Sequence, residues 1–476
     1  MNRSAPPAVG TTTASPVAAR TGFLPLLVVA FVISLTIPLF INLGGVLLSP
    51  YRIVLLIGVV PLVLAWLNGA AGPKRAFDWL FIGAFLWGAL ALFVNHGGQA
   101  LQPAVVLLVE ALGAHFLARV AIRNPGDFIR AFKLQFLIIA FLIPFAIIET
   151  RTGQPPIIEL MAKIGMGIEI ITDPPRMGMN RVQGTFEHSI LYGVFCASAL
   201  AGIYYRTTFK AFFSRALATL VVMASTVMSV SSGALAAVMF QLFLFAWDGI
   251  LRKVPRRWTL FALMMLAFYI TIDLLSNRSP FHVLVSYMTF NSGSGWNRIN
   301  IWVHGTANVA AHPIFGLGLN DWARPHWMGS SVDNYWLLQA MRFGLPMFIL
   351  YAASTFLILR ALSLKEIADP LVARCRAANL AVMGGLILAS GTVHYWNTLF
   401  VWFVFLTSSA TWVLDYKADG MPAETPEPEK GRGGRPARTV RPRGRPVRAA
   451  RPGRLPRPTR GRSTDPAATP GGANKS

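Results

Sequence analysis

The chain has 476 residues, of which 54% are hydrophobic and only 13% charged, with a mean hydropathy of +0.52. A water-soluble domain carries nearer a quarter charged residues, so that class is excluded. The net charge of +23 is uneven, because thirteen Lys and Arg residues crowd between Lys430 and Arg462. The charge describes a tail and short loops, and no specific nucleic-acid partner is expected.

Apolar runs of about 20 residues, long enough to cross a bilayer, recur along most of the length. They predict an all-α polytopic membrane protein with about twelve spans, at 22–42, 51–69, 78–95, 101–121, 134–149, 188–206, 215–231, 233–251, 258–275, 334–362, 378–396 and 397–414. Barrel strands would show short alternating segments instead. Residues 1–21 are expected as a cytosolic N-terminal segment, 22–415 as the membrane domain and 416–476 as a cytosolic tail. The first apolar run is long and has no clear cleavage site, so it reads as a retained anchor. Cys196 falls in an expected span and Cys375 in an expected cytosolic loop, which implies no disulfide.

The loops alternate in charge. Lys74 and Arg75, then Arg119, Arg123, Arg130 and Lys133, then Arg206, Lys210 and Arg215 fall on one side. Arg252, Lys253, Arg256 and Arg257 follow there, as do Arg360, Lys365, Arg374 and Arg376. The positive-inside rule puts that side, with both termini, in the cytosol. Two long loops, Thr150–Glu187 and Ser276–Val332, then lie outside. Loops of that length are functional or disordered, and their aromatic content argues against disorder. Ile157–Ile171 in the first reads as an interfacial helix. The tail repeats Arg-Pro pairs, cannot bury a core and is expected to be disordered. Its charge suits anionic lipid, RNA or an acidic partner, beside the plainer reading of a solvated tail without a specific role.

Three polar elements stand out against this apolar background. Arg181-Val-Gln-Gly184-Thr-Phe186-Glu187-His188-Ser189 enters the sixth span. Trp296-Asn-Arg298-Ile-Asn-Ile-Trp302 lies in the second long loop, and Ser331-Val-Asp333-Asn334-Tyr335-Trp336-Leu337 enters the tenth span. Between the last two runs His312-Pro313-Ile-Phe-Gly316-Leu-Gly318, a turn signal in which glycine permits close backbone approach.

This arrangement resembles the O-antigen ligase/polymerase superfamily of bacterial envelope glycosyltransferases. The family pattern is an Arg followed by Gly and an aromatic, a second Arg before a Trp, a P-x-x-G-x-G turn, and a [His/Asp]-Asn-x-x-Leu helix start. Here these read Arg181/Gly184/Phe186, Arg298/Trp302, Pro313/Gly316/Gly318 and Asp333/Asn334/Leu337. Ser229–Gly233 is similar to a further turn, with Ser232 where the family often has Arg. The resemblance covers about Leu134 to Trp412.

It implies a GT-C-like helical fold and an inverting, metal-independent transfer, with no cofactor. The donor would be a glycan on undecaprenyl diphosphate and the acceptor a glycan or lipid, met at the outer leaflet. In that reading Arg181 and Arg298 hold the diphosphate and Asp333 acts as base, while Gly184, Glu187, His188, Trp302, Asn334 and Arg342 line the substrate site. The chain likewise lacks an obvious outer-face Asp-x-Asp or a His/Cys ligand set. Ligases that join O-antigen to lipid A-core typically have His where this chain has Asp333. The Asp-Asn version, with Phe186-Glu187-His188, looks closer to exopolysaccharide or capsule polymerases, so polymerase is favoured over ligase. Glu187 and His188 stand as alternative bases.

Plainer roles compete. Asp333 suits the N-cap of the tenth helix. Arg181 and Arg298 suit interfacial anchors, and the tryptophans suit an aromatic belt. His312, His326 and His394 suit packing or turns. Glu110 and Arg342 are costly within spans unless paired, and are expected to approach each other beneath the site. A lipid-linked glycan flippase or other transporter, or a scaffold working through its tail, are the alternative functions. No convincing repeat of halves favours a transporter.

Overall fold

The computed structural model describes residues 23–43, 46–165, 167–205, 212–254, 256–288 and 292–416. These belong to one compact unit, Met1–Met421. The expected N-terminal segment 1–21 and all but the first residue of the expected tail 416–476 lie outside the described residues.

The described chain is helical apart from a small hairpin, β1 (Ile41–Leu43) with β2 (Val46–Leu48), paired antiparallel with Ile41 opposite Leu48. Helices α1 (Phe23–Ser34), α2 (Pro50–Leu67), α3 (Ala76–His96), α4 (Leu101–Ala121) and α5 (Pro125–Thr152) come first. Then follow α6 (Pro156–Lys163), α7 (Ser189–Ala197), α8 (Leu200–Tyr204), α9 (Phe212–Met228), α10 (Ser232–Ile250) and α11 (Arg257–Leu275). The last are α12 (Pro280–Met288), α13 (Ser292–Ala311), α14 (Tyr335–Leu364), α15 (Pro370–Ser390) and α16 (Asn397–Ser408).

Eight helical stretches are long and apolar enough to cross a membrane; one of these, 76–121, is α3 and α4 joined by the turn Gly97–Ala100. Helix α11 has no buried residue, and Leu260, Leu263, Leu266 and Phe268 are all exposed along it. Apolar all round and unburied, it needs a hydrocarbon solvent. Every expected span holds a helix, but α1, the α7–α8 pair and α9 are shorter than a crossing requires.

Two expected boundaries shift for a definable reason. Helix α5 starts at Pro125, with the Asn124 side chain accepting the Asp127 amide at 2.9 Å. Helix α15 starts at Pro370, with Asp369 accepting the amides of Leu371 and Val372 at 2.7 and 3.3 Å. Asn or Asp followed by Pro is a start signal that outranks hydropathy. Cys375 is therefore helical and buried, not in a loop.

The two long loops are largely structured. The first contains α6, narrower than the expected 157–171, and the second contains α12 and the polar, 20-residue α13. A satellite core of Ile301, Trp322, Val332, Leu337, Leu338 and Met341 seats α13 on α14. Gly305 makes this approach close, since a Cβ there would lie 2.7 Å from Leu337.

Helix α14 breaks at Gly344 (φ 82°), two residues before Pro346. Proline has no N–H to offer the Arg342 carbonyl, and the kink turns the Leu345 amide away from Met341. The Pro313–Gly318 turn fills both vacancies. Leu317 N–H donates to Met341 O and Gly318 N–H to Arg342 O, each at 2.8 Å, while Leu345 N–H donates to Pro313 O at 2.7 Å. The end of α3 clamps the turn: Trp87 Nε1 donates to Ile314 O at 3.1 Å, and His96 Nε2 accepts the Leu319 amide at 2.7 Å.

Candidate active site

Arg181 sits on a loop between α6 and α7 that is pinned on three sides. Asn180 Nδ2 donates to Thr150 O at 3.2 Å, and Val182 N–H donates to Met228 O at 3.0 Å. Glu149, in the last turn of α5, accepts the amides of Gln183 at 2.6 Å and Gly184 at 3.0 Å through its two carboxylate oxygens. Gly184 has φ 65°, and a Cβ there would lie 2.9 Å from the Tyr192 ring. Any other residue would push the loop away from α7.

The Arg181 guanidinium is buried and donates to Asp173, yet its Nε and Nη2 are buried with no hydrogen-bond partner among the described residues. Arg298, on α13, is buried too. Its Nε donates to Thr392 O at 3.0 Å, and its Nη1 is buried without a partner among the described residues. Burial pushes both guanidiniums below their ordinary value, against the upward pull of Asp173 and Asp333 on Arg181 and of Asp333 on Arg298. Both remain charged, because arginine starts so high.

Asp333 lies within electrostatic reach of Arg181, Arg298 and His188. The expected capping role passes to its neighbour: Asn334 Oδ1 accepts the Leu337 amide at 3.0 Å and caps α14. That leaves the Asp333 carboxylate, among the described residues, with a local hydrogen bond from Ser331 Oγ at 2.9 Å. The Asp333–Asn334 pair thus divides the work, one residue starting the helix and the other left within electrostatic reach of the arginines.

The two other candidate bases part company. His188 Nδ1 accepts the Ile190 amide at 3.1 Å, and its Nε2 lies 3.4 Å from Asp173. The neutral ring therefore carries its proton on Nε2, with its lone pair already used at Nδ1. Burial holds the imidazole below its ordinary value. Glu187 faces elsewhere. Thr398 Oγ1 donates to it at 3.4 Å, and Arg52, Asn397 and Tyr51 are among its polar neighbours. Burial raises its carboxyl above the usual range.

Trp302, one turn beyond Arg298 on α13, packs against the satellite core. Arg342 lines a cavity of about 290 Å³ with Asn320, Asp321, Ser330, Ser331 and His394. Since Ser331 also holds Asp333, this cavity adjoins the arginine site. Burial and the Arg342 charge push His394 down from 6.5 to about 3. The expected approach of Glu110 to Arg342 does not occur. Glu110 accepts instead from Arg52 Nε at 2.7 Å and Tyr51 Oη at 2.9 Å. The cation that meets Glu110 is in the first turn of α2, not the one just before the α14 kink.

Nothing in the sequence pattern marks Asp173 or Arg176 for this site, and Glu149 stands outside the three polar elements. Asp173 and Arg176 both act on the charge of Arg181, and Glu149 sets its loop. Glu149 carried a usable signal, a carboxylate at the very end of an apolar run. Asp173 and Arg176 sit in an irregular stretch with no periodicity to mark them.

The fold thus defines a helical membrane protein with a capped polar site beside the ends of its helices. Comparison with the models of known protein families and with curated proteins finds no match.

Proposed function

We propose that the chain is an inverting, metal-independent glycosyltransferase of the O-antigen ligase/polymerase superfamily. It would polymerise undecaprenyl-diphosphate-linked oligosaccharide units at the outer leaflet of the bacterial inner membrane. In this reading the chain has a GT-C-like fold of about twelve spans, both termini cytosolic and the Arg181–Arg298 site outside.

The observation that carries the reading is the set of buried guanidinium N–H groups on Arg181 and Arg298 that no group among the described residues satisfies. Buried polar donors are nearly always paired, so two arginines left short and facing one carboxylate suit a phosphate-bearing ligand. Asp333 takes the proton of the acceptor hydroxyl as its oxygen attacks the anomeric carbon. The bond from that carbon to the diphosphate breaks, and the charge it leaves rests on Arg181 and Arg298. Asp173 holds Arg181 in place, and the polar cavity beside Arg342 receives the acceptor sugars.

A ligase for lipid A-core is the nearest alternative, and Asp333 in place of His favours the polymerase. Deleting the gene and running envelope and secreted glycans on a gel separates them. Loss of secreted polymer with normal lipopolysaccharide supports the polymerase. Lipopolysaccharide left as bare core supports the ligase, and unchanged glycans refute both.

A further inference from the structure

A second cavity, of about 470 Å³, lies at the opposite pole of the helices from the arginine site. It opens among the C-terminal ends of α8 and α10 and the N-terminal parts of α9, α11 and α15. Five arginines line it, Arg215, Arg252, Arg257, Arg374 and Arg376, against a single carboxylate, Asp248. Asp248 is taken by Arg257 at 2.9 Å, and Arg376 is spent on the carbonyl of Lys365. Arg252 and Arg374 are exposed and make no ion pair among the described residues.

The remaining wall is apolar and aromatic. Tyr204 stacks on Phe245 with centroids 3.9 Å apart, and Tyr205 meets the same ring edge-on at 5.4 Å. A site with cations at its mouth and stacked rings behind them matches an amphiphile with an anionic head. The arginine-rich loops are those that the positive-inside rule turns toward the anionic leaflet. Basic pockets between helices on that side hold phospholipid head groups.

We propose that this cavity binds the phosphate head group of an anionic glycerophospholipid, phosphatidylglycerol or diphosphatidylglycerol. The guanidiniums of Arg252 and Arg374 grip the phosphate oxygens from opposite elements, and an acyl chain runs along Tyr204 and Phe245. The site is independent of the sugar chemistry and stands or falls apart from it.

The test uses the purified full-length chain in detergent, with bound lipid counted by native mass spectrometry. Phosphatidylglycerol, diphosphatidylglycerol, phosphatidylcholine and inorganic phosphate are offered in turn. Wild type should retain the anionic lipids in preference to phosphatidylcholine, and each arginine removed in Arg252→Gln/Arg374→Gln should cost about fivefold of that preference. Gly249 lines the cavity with open space where a Cβ would go, so Gly249→Trp should block the lipid while keeping every charge. Arg360→Gln, on the same side but outside the cavity, should change nothing. Equal retention of phosphatidylcholine, or undiminished retention in both the double variant and Gly249→Trp, overturns the proposal. So does an equal loss in Arg360→Gln. Displacement of the lipid by inorganic phosphate at the same concentration overturns the lipid assignment in favour of a free-anion site.

Discussion

The carboxylate of Glu149 and the backbone amide of Gly184 are joined by a hydrogen bond of 3.0 Å. With the bond from Gln183 at 2.6 Å, it fixes the segment that carries Arg181 to the end of α5. Glu149→Ala leaves two buried amides unpaired, at about 1–3 kcal/mol each. We expect lower thermal stability together with glycan extension reduced well beyond the loss of folded protein. Glu149→Gln, which keeps one acceptor oxygen, should recover part of both. Thermal unfolding in detergent and extension per folded molecule, measured side by side, check this.

Gly344 supports the α14 kink at φ 82°, and a Cβ there would run into the backbone of Ile314 and lie 3.0 Å from the Phe315 nitrogen. Neither the torsion nor the contact can relax cheaply, so Gly344→Ala should destabilise by about 1–3 kcal/mol. It should also loosen the Pro313–Gly318 turn. Proteolysis of the native protein should then cut within that turn, where wild type resists.

His394 gives a pH signature. Its imidazole titrates at about 3 in the folded chain, against an ordinary 6.5. Between those values the unfolded chain holds a proton there that the folded chain does not. Stability therefore rises with pH across this window and is lost as pH falls from 6.5 toward 3. His394→Gln should flatten that acid limb while leaving stability above pH 6.5 little changed. Melting temperatures across the window decide it.

Much of the architecture was legible from hydropathy, because helices that face lipid must be apolar along their whole length. Every expected span holds a helix for that reason. Sequence and structure differ where short-range chemistry outranks hydropathy, at Asn124-Pro125 and Asp369-Pro370, which start α5 and α15 earlier than the apolar run suggests. Helix α13 looks like loop in the sequence because its polar, glycine-bearing residues hide a packed stripe through Ile301.

At the candidate site, Arg181, Arg298 and Asp333 stand out in the sequence by the order of the motifs that carry them, since each residue taken alone also suits an anchor or a cap. The partners that tune them do not. Which residue of Asp333–Asn334 caps α14 depends on backbone geometry one residue long. Whether Glu187 or His188 faces the arginines depends on a half-turn of chain before α7, which no periodicity records.

Asp333 has a discriminating variant of its own. Asp333→Asn keeps the shape and the Ser331 contact but cannot take a proton. It should lose glycan extension about a hundredfold or more, while binding of the lipid-linked donor is retained. Glu187→Gln, away from the arginines, should slow extension far less. The reverse order would move the base to Glu187.

The most direct measurement is donor binding and chain extension by purified Arg181→Ala and Arg298→Ala proteins, each shown to melt as wild type does. A diphosphate-linked oligosaccharide serves as both donor and acceptor, and products are resolved by gel. Each substitution should lower extension about a hundred- to a thousandfold, and lysine in either place should fail to restore it. Extension at the wild-type rate by both alanine variants would contradict the account.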